Sequence, residues 1–203
     1  MNLANKLTVF RVILVPIMVI VSLVGLQGKF FNIDITLWVM NLIFIVASYT
    51  DHLDGKIARS KNQITTFGKF LDPLADKILV ITAMILLVEN GAIPSWIPII
   101  VIVREFLVSG YRLIAVEKSG EVIAASIWGK IKTVTQMFAI IFAFININNT
   151  NIFGAFTNGN LTGLELYINI ITTILFIVST IATIVSGCDY LKNFRTILLD
   201  DKN

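Results

Sequence analysis

The sequence predicts an all-α integral membrane protein of six transmembrane helices, forming one domain over residues 1–203. Three observations carry that prediction. The chain is 56% hydrophobic and 14% charged, against about 45–50% and about 25% in a soluble domain. Its apolar residues gather in six runs near the roughly 20 residues that span a bilayer. Once those runs are threaded back and forth, the basic residues crowd onto one side of the membrane.

The first run, residues 9–26, lacks a small-residue cleavage site and is followed by five more, so it reads as a retained helix and not a removable leader. Ahead of it, residues 2–11 carry Lys6 and Arg11 beside Leu3, Leu7 and Phe10. This stretch reads equally as a short N-terminal interfacial amphipathic helix or as a frayed terminus. The second run, 36–50, flows directly into Asp51, so its helix is expected to continue to about Arg59. The remaining runs are 70–88, 95–116, 131–147 and 164–186, joined by polar stretches at 89–94, 117–130 and 146–163.

With an even number of spans, thirteen of the sixteen basic residues fall on the side of the termini, and only Lys29 falls on the other. Arg104 and Arg112 lie inside the fourth run. Both termini are therefore expected to face the cytoplasm in a multi-pass cell-membrane protein. Trp38 and Trp96 then sit near the outer interface and Trp128 near the inner one, as anchors. The net charge of +3 is too small and dispersed for nucleic acid, but suits a rim that touches anionic head groups. Cys188 is the single cysteine, which excludes an intrachain disulfide and a cysteine metal cage.

Ionisable groups in or at the end of a span are costly and point to function. Asp51 and Asp54 are three apart near the end of the second helix, and Asp72 and Asp76 are four apart at the start of the third. Each spacing places its pair on one helix face, and the short connection makes the two helices neighbours. Four converging carboxylates repel one another unless cations are present. Oxygen-only donors of this kind suit Mg²⁺ or Mn²⁺, with Ca²⁺ as a further occupant. Two such ions about 4 Å apart are common apparatus for displacement at phosphorus. Gly55, Ala58 and Gly68 clear side chains from the same faces, and Arg59 adds a cation suited to bidentate phosphate contact.

The run Asp51-His52-Leu53-Asp54-Gly55-Lys56-Ile57-Ala58-Arg59, then eight residues, then Gly68-Lys69-Phe70-Leu71-Asp72-Pro73-Leu74-Ala75-Asp76 fits D-x2-D-G-x2-A-R-x8-G-x3-D-x3-D. All eight fixed positions are present. In this the chain resembles the CDP-alcohol phosphatidyltransferases over nearly its whole length. The resemblance implies that Asp51, Asp54, Asp72 and Asp76 hold the metals that grip the pyrophosphate of CDP-diacylglycerol. It implies further that Asp76 takes the proton of the acceptor hydroxyl, and that Asp54, Gly55, Ala58, Arg59 and Gly68 form the nucleotide-binding wall. A homodimer is also implied.

A phosphorylated acceptor needs further cations, and Arg112 with Lys130 and Lys132 has the spacing for an anion pocket beside the aspartates. The alternative role of Lys130 and Lys132 is cytoplasmic anchoring. Arg104 and Glu105, being adjacent, are expected to point in different directions, each pairing with another helix in a structural role. The stretches from Asn5 to Arg11, Arg104 to Arg112 and Trp128 to Gln136 are similar to those of bacterial family members that use sn-glycerol 3-phosphate. That similarity implies phosphatidylglycerophosphate and CMP as products, with Thr8 near the nucleotide. Other acceptors within the family (inositol phosphate, serine or phosphatidylglycerol) are the first alternative. A cation transporter is a distant one, because transporter sites lie near the midplane at broken helices. An inactive scaffold is disfavoured by the intact signature.

Overall fold

The computed structural model describes residues 3–60, 66–119, 126–145, 150–157 and 161–200; within these, the side chains of 3–4, 52–60, 66–70, 72, 116–119 and 193–200 fall outside the description. Most of the described chain is helical. The first helix, α1, runs Leu3–Val24 without interruption. Of the stretch expected to be an interfacial helix or a frayed terminus, residues 3–11 are the first turns of α1. Their polar members explain why: Asn5, Thr8 and Arg11 recur at helical spacing and are all buried, so this face packs inward instead of lying on a membrane surface. The helix stops at Gly25, whose φ of 63° lies in the left-handed region that glycine enters without penalty.

A two-stranded hairpin follows, β1 Lys29–Phe30 and β2 Ile33–Asp34. Phe31 and Asn32 form its turn with φ of 52° and 60°, the backbone of a two-residue primed turn. Helix α2 spans Ile35–Ser60, which agrees with the expected continuation past Asp51. Helices α3 Thr66–Glu89 and α4 Trp96–Ser119 come next. Ser126 caps α5, Ile127–Phe144, by accepting the Gly129 amide at 3.1 Å. A single turn, α6 Gly154–Thr157, precedes the 38-residue α7, Gly163–Asp200. At about 1.5 Å per residue, α7 is roughly 57 Å long, well beyond the ~30 Å hydrocarbon layer. Its apolar run ends near Ser186, but the helix continues.

The core lies among α1, α2, α3, α5 and α7, where Met18, Met40, Phe44, Leu79, Ile140, Phe144 and Phe176 are all but inaccessible. The Phe44 and Phe144 rings meet at 6.4 Å across α2 and α5. The outward faces are apolar as well: Leu23, Leu42, Phe106 and Leu113 are each more than 60% exposed. A soluble protein does not carry apolar surface on this scale without a partner for it, whereas lipid solvates it. Among the described residues, three helical segments are long and apolar enough to cross a bilayer (Asn5–Val24, Ile127–Phe144 and Gly163–Lys192), and Ile35–Asp51 is a shorter apolar stretch. The described part of α3 carries Asp76 and Lys77, while α4 carries Arg104, Glu105 and Arg112. Those charges interrupt the apolar character of both helices and build the site.

Candidate active site

The inward face of α1 sets one wall. Arg11, with its side chain fully buried, reaches α2 and engages Asp51 Oδ1 through Nη1 at 2.7 Å. Asp51 keeps 37% of its side chain exposed, so one edge of the pair is open. Thr8 is buried one turn before Arg11 on the same face. The signature residues Asp54, Gly55, Ala58, Arg59, Gly68 and Asp72 lie on the α2 and α3 backbones, and their side chains fall outside the described residues. Asp76, half-buried on α3, is within electrostatic reach of Asp51, Arg11, Lys132 and Glu105.

Asp76 also lines a cavity of about 200 Å³ enclosed by α3, α4, α5 and α7. Four basic side chains, Lys77, Arg104, Arg112 and Lys132, line it with two acidic ones, Asp76 and Glu105. With all of them ionised, the wall carries a surplus of two positive charges. Helical periodicity produces this convergence. Arg104 and Arg112 are two turns apart on α4, while Gly129, Lys132, Thr133 and Gln136 follow the i, i+3, i+4, i+7 pattern of one α5 face. Gly129 lets α5 come close, since a Cβ there would stand 3.3 Å from Arg104 Nη2.

Glu105 is the hub of the cavity wall. Its Oε1 accepts from Lys132 Nζ at 2.7 Å and from Arg104 Nη1 at 2.9 Å, and its Oε2 lies 3.9 Å from Lys77 Nζ. Lys77 donates to Ser109 Oγ, which in turn donates to the Glu105 carbonyl at 2.6 Å. From α7, Ser186 Oγ accepts from Arg104 Nη2 at 2.6 Å and Tyr190 Oη from Arg112 Nη2 at 3.0 Å. The Tyr190 ring centroid lies 5.6 Å from the Arg112 guanidinium carbon and 5.8 Å from that of Arg104. Both contacts fall in the range of cation–π attraction.

Of the expected anion-pocket residues, Arg112 and Lys132 line this cavity together with Asp76. Lys130 does not: it is exposed, because two residues of helix turn it to the far side of α5 from Lys132. The expectation that Arg104 and Glu105 diverge is also corrected. Their side chains are long enough to meet one another, and each additionally binds another helix, through Ser186 and Lys132. Lys77, Arg11, Ser186 and Tyr190 were not singled out from the sequence. A lysine directly following Asp76 was the available signal for the first, and the basic end of the first span for the second.

Among the described residues, no group of three or more acidic, histidine or cysteine side chains stands ready to hold a metal. The described half of the aspartate quartet nonetheless fits one. Asp51 and Asp76 are carboxylates on the two packed helices α2 and α3, one partly open to solvent, and hard divalent cations take oxygen donors of this type.

The sequence matches the CDP-alcohol phosphatidyltransferase family over residues 1–185, a family that is generally divalent-metal dependent. It is 46% identical to a Bacillus subtilis CDP-diacylglycerol–glycerol-3-phosphate 3-phosphatidyltransferase over 68% of this chain and 74% of that protein. A protein of the same name from Haemophilus influenzae is 37% identical over 98% of this chain and 97% of its own length. One from Rickettsia bellii is 32% identical, with 94% of both chains covered. With the match extending through the aspartate helices and the cavity wall up to α7, the chain belongs to the CDP-alcohol phosphatidyltransferase family.

Proposed function

We propose that the protein transfers the phosphatidyl group of CDP-diacylglycerol to sn-glycerol 3-phosphate, giving phosphatidylglycerophosphate and CMP. The observation that carries this reading is the cavity in which Asp76 shares a wall with Arg112 and Lys132. A carboxylate able to take a hydroxyl proton, beside cations able to hold a phosphate, suits an acceptor alcohol that is itself phosphorylated. Serine offers no phosphate for the two cations, and the names of the three relatives favour the same acceptor.

In this reading Arg112 and Lys132 fix the acceptor's phosphate. That holds its hydroxyl near Asp76, and positioning of this kind removes much of the entropic barrier. Asp76 accepts the hydroxyl proton as the oxygen attacks phosphorus and the bond to the CMP oxygen breaks. Asp51, Asp54, Asp72 and Asp76 would hold Mg²⁺ or Mn²⁺, two ions by preference, which when bound neutralise charge on the pyrophosphate and the departing CMP. Arg11 keeps Asp51 in place through their 2.7 Å contact. Asp54, Gly55, Ala58, Arg59 and Gly68 would line the nucleotide, with Thr8 on α1 also near it. Lys130, on the outer side of α5, suits an anchoring contact with anionic head groups better than the acceptor.

The same reading takes α1, α2, α3, α4, α5 and α7 as six spans of one domain in the cell membrane, with both termini and the site on the cytoplasmic side and two copies forming a homodimer. The bias of basic residues supports the orientation, and the resemblance supports the dimer. The direct test is CMP release from CDP-diacylglycerol in the presence of divalent metal, offered glycerol 3-phosphate, inositol phosphate, serine and phosphatidylglycerol separately. Preference for any acceptor other than glycerol 3-phosphate removes the acceptor assignment. Cation flux into liposomes with no CMP release with any alcohol removes the reaction.

A further inference from the structure

Glu105 has no task in the transfer just described, yet it engages three of the cavity's four cations, more than any other described group. Lys132 and Arg104 lie at 2.7 and 2.9 Å from its carboxylate and Lys77 at 3.9 Å. A carboxylate gripping three cations inside an anion pocket stands where a phosphate's oxygens would otherwise draw those cations. We propose that Glu105 is a built-in competitor for the acceptor's phosphate, limiting how tightly the cavity holds a phosphomonoester. This rests on the reading of the cavity as the acceptor-phosphate site.

The chemistry of the reaction gives the device its purpose. Transfer takes place at a hydroxyl, so the phosphomonoester of the acceptor survives intact and leaves on the lipid product. A pocket that bound that group tightly would hold product as firmly as acceptor, since both present the same dianion to the same cations. A phosphomonoester carries about −1.5 to −2 charges near neutrality. The cavity's surplus of two positive charges with Glu105 ionised matches that value, and without Glu105 the surplus is three.

The test uses the purified full-length enzyme loaded with divalent metal, following CMP release against glycerol 3-phosphate, with inorganic phosphate as a competing anion. In Glu105→Gln, removing one negative charge about 3 Å from Lys132 lowers both the KM for glycerol 3-phosphate and the inhibition constant of phosphate, on the order of tenfold. Its kcat falls as product leaves more slowly. A Glu105 that serves only to order the cations gives the opposite split, a raised KM. An unchanged or raised KM in the folded variant therefore overturns the proposal. Should Glu105→Gln fail to fold, Glu105→Asp draws the carboxylate back from Lys132, and a KM lowered by about two- to threefold is expected. An unchanged or raised KM there also overturns it. Arg112→Gln, run alongside, separates the two claims. If Arg112→Gln leaves the KM for glycerol 3-phosphate at the unmodified value, the cavity is not the phosphate site and the role of Glu105 falls with it. If Arg112→Gln raises the KM and Glu105→Gln does not lower it, only the role of Glu105 falls.

Discussion

Arg11 of α1 and Asp51 of α2 meet at 2.7 Å, the arginine side chain wholly buried and the aspartate more than one-third exposed. The asymmetry tells what the contact does. An arginine without access to water needs its partner, whereas an aspartate with an open edge can offer itself to a second cation. The pair fastens α1 to the aspartate helices and fixes one carboxylate of the quartet.

Replacing Arg11 therefore has two effects. In Arg11→Met, Asp51 loses its positioning cation, and because Asp51 is partly solvated the expected loss of stability is about 1–2 kcal/mol, below the 3–5 kcal/mol of a fully buried pair. Thermal unfolding in detergent measures this. The same variant should need several-fold more divalent metal for half-maximal CMP release. An unchanged metal requirement would detach Arg11 from the site and leave it a purely structural role.

Asp76→Asn keeps the shape and removes the proton acceptor. Turnover should fall by about 10²–10⁴, the usual contribution of a positioned acid or base, while the unfolding temperature stays near that of the unmodified protein. A residual rate within tenfold of the starting enzyme would mean that the acceptor proton leaves by another route.

The two lysines of α5 should separate cleanly. Lys132→Met should raise the KM for glycerol 3-phosphate by about 10- to 100-fold, as loss of a charge-assisted phosphate contact does. Lys130→Met, on the exposed side of the helix, should leave that KM within about twofold. Equal effects in both variants would contradict the placement of the acceptor in the cavity beside Asp76.

The helices were legible because long apolar runs favour helix: the described parts of the six expected runs fall on α1, α2, α3, α4, α5 and α7, and among the described residues three segments are long and apolar enough to cross a bilayer. Where α7 ends was not, since hydropathy marks where the apolar run stops, and an α-helix needs no apolar side chains to continue. The hairpin at 29–34 escaped for another reason. Its turn is made by Phe31 and Asn32 in left-handed backbone, with none of the asparagine–glycine chemistry that announces such turns.

The site was legible in part. Fixed spacing on two helices brought out the aspartates; Arg112 could be chosen because a charge inside a span is conspicuous, and Lys132 because it opens the fifth helix at a spacing that suits an anion pocket. Lys77 and Arg11 were hidden by the same charge pattern that orients the chain, which treats every lysine and arginine as a membrane anchor. Arg104 and Glu105 pair with other helices as expected, but they do not diverge: neighbouring positions differ by about 100° at the backbone, yet two long side chains span that angle and meet at 2.9 Å. Nothing in the spacing of the sequence indicates that α7 delivers Ser186 and Tyr190 to the cations of α4. That juxtaposition is set by the packing of α7 along α4 and α5.

The most direct test of the account is CMP release by the purified protein from CDP-diacylglycerol and glycerol 3-phosphate, with Mg²⁺ or Mn²⁺, then with chelator, then with Asp76→Asn. Release should require the metal and the phosphorylated acceptor together, stop with chelator, and be all but lost in the variant. Release that persists in chelator, or that proceeds equally well with an alcohol lacking a phosphate, would contradict it.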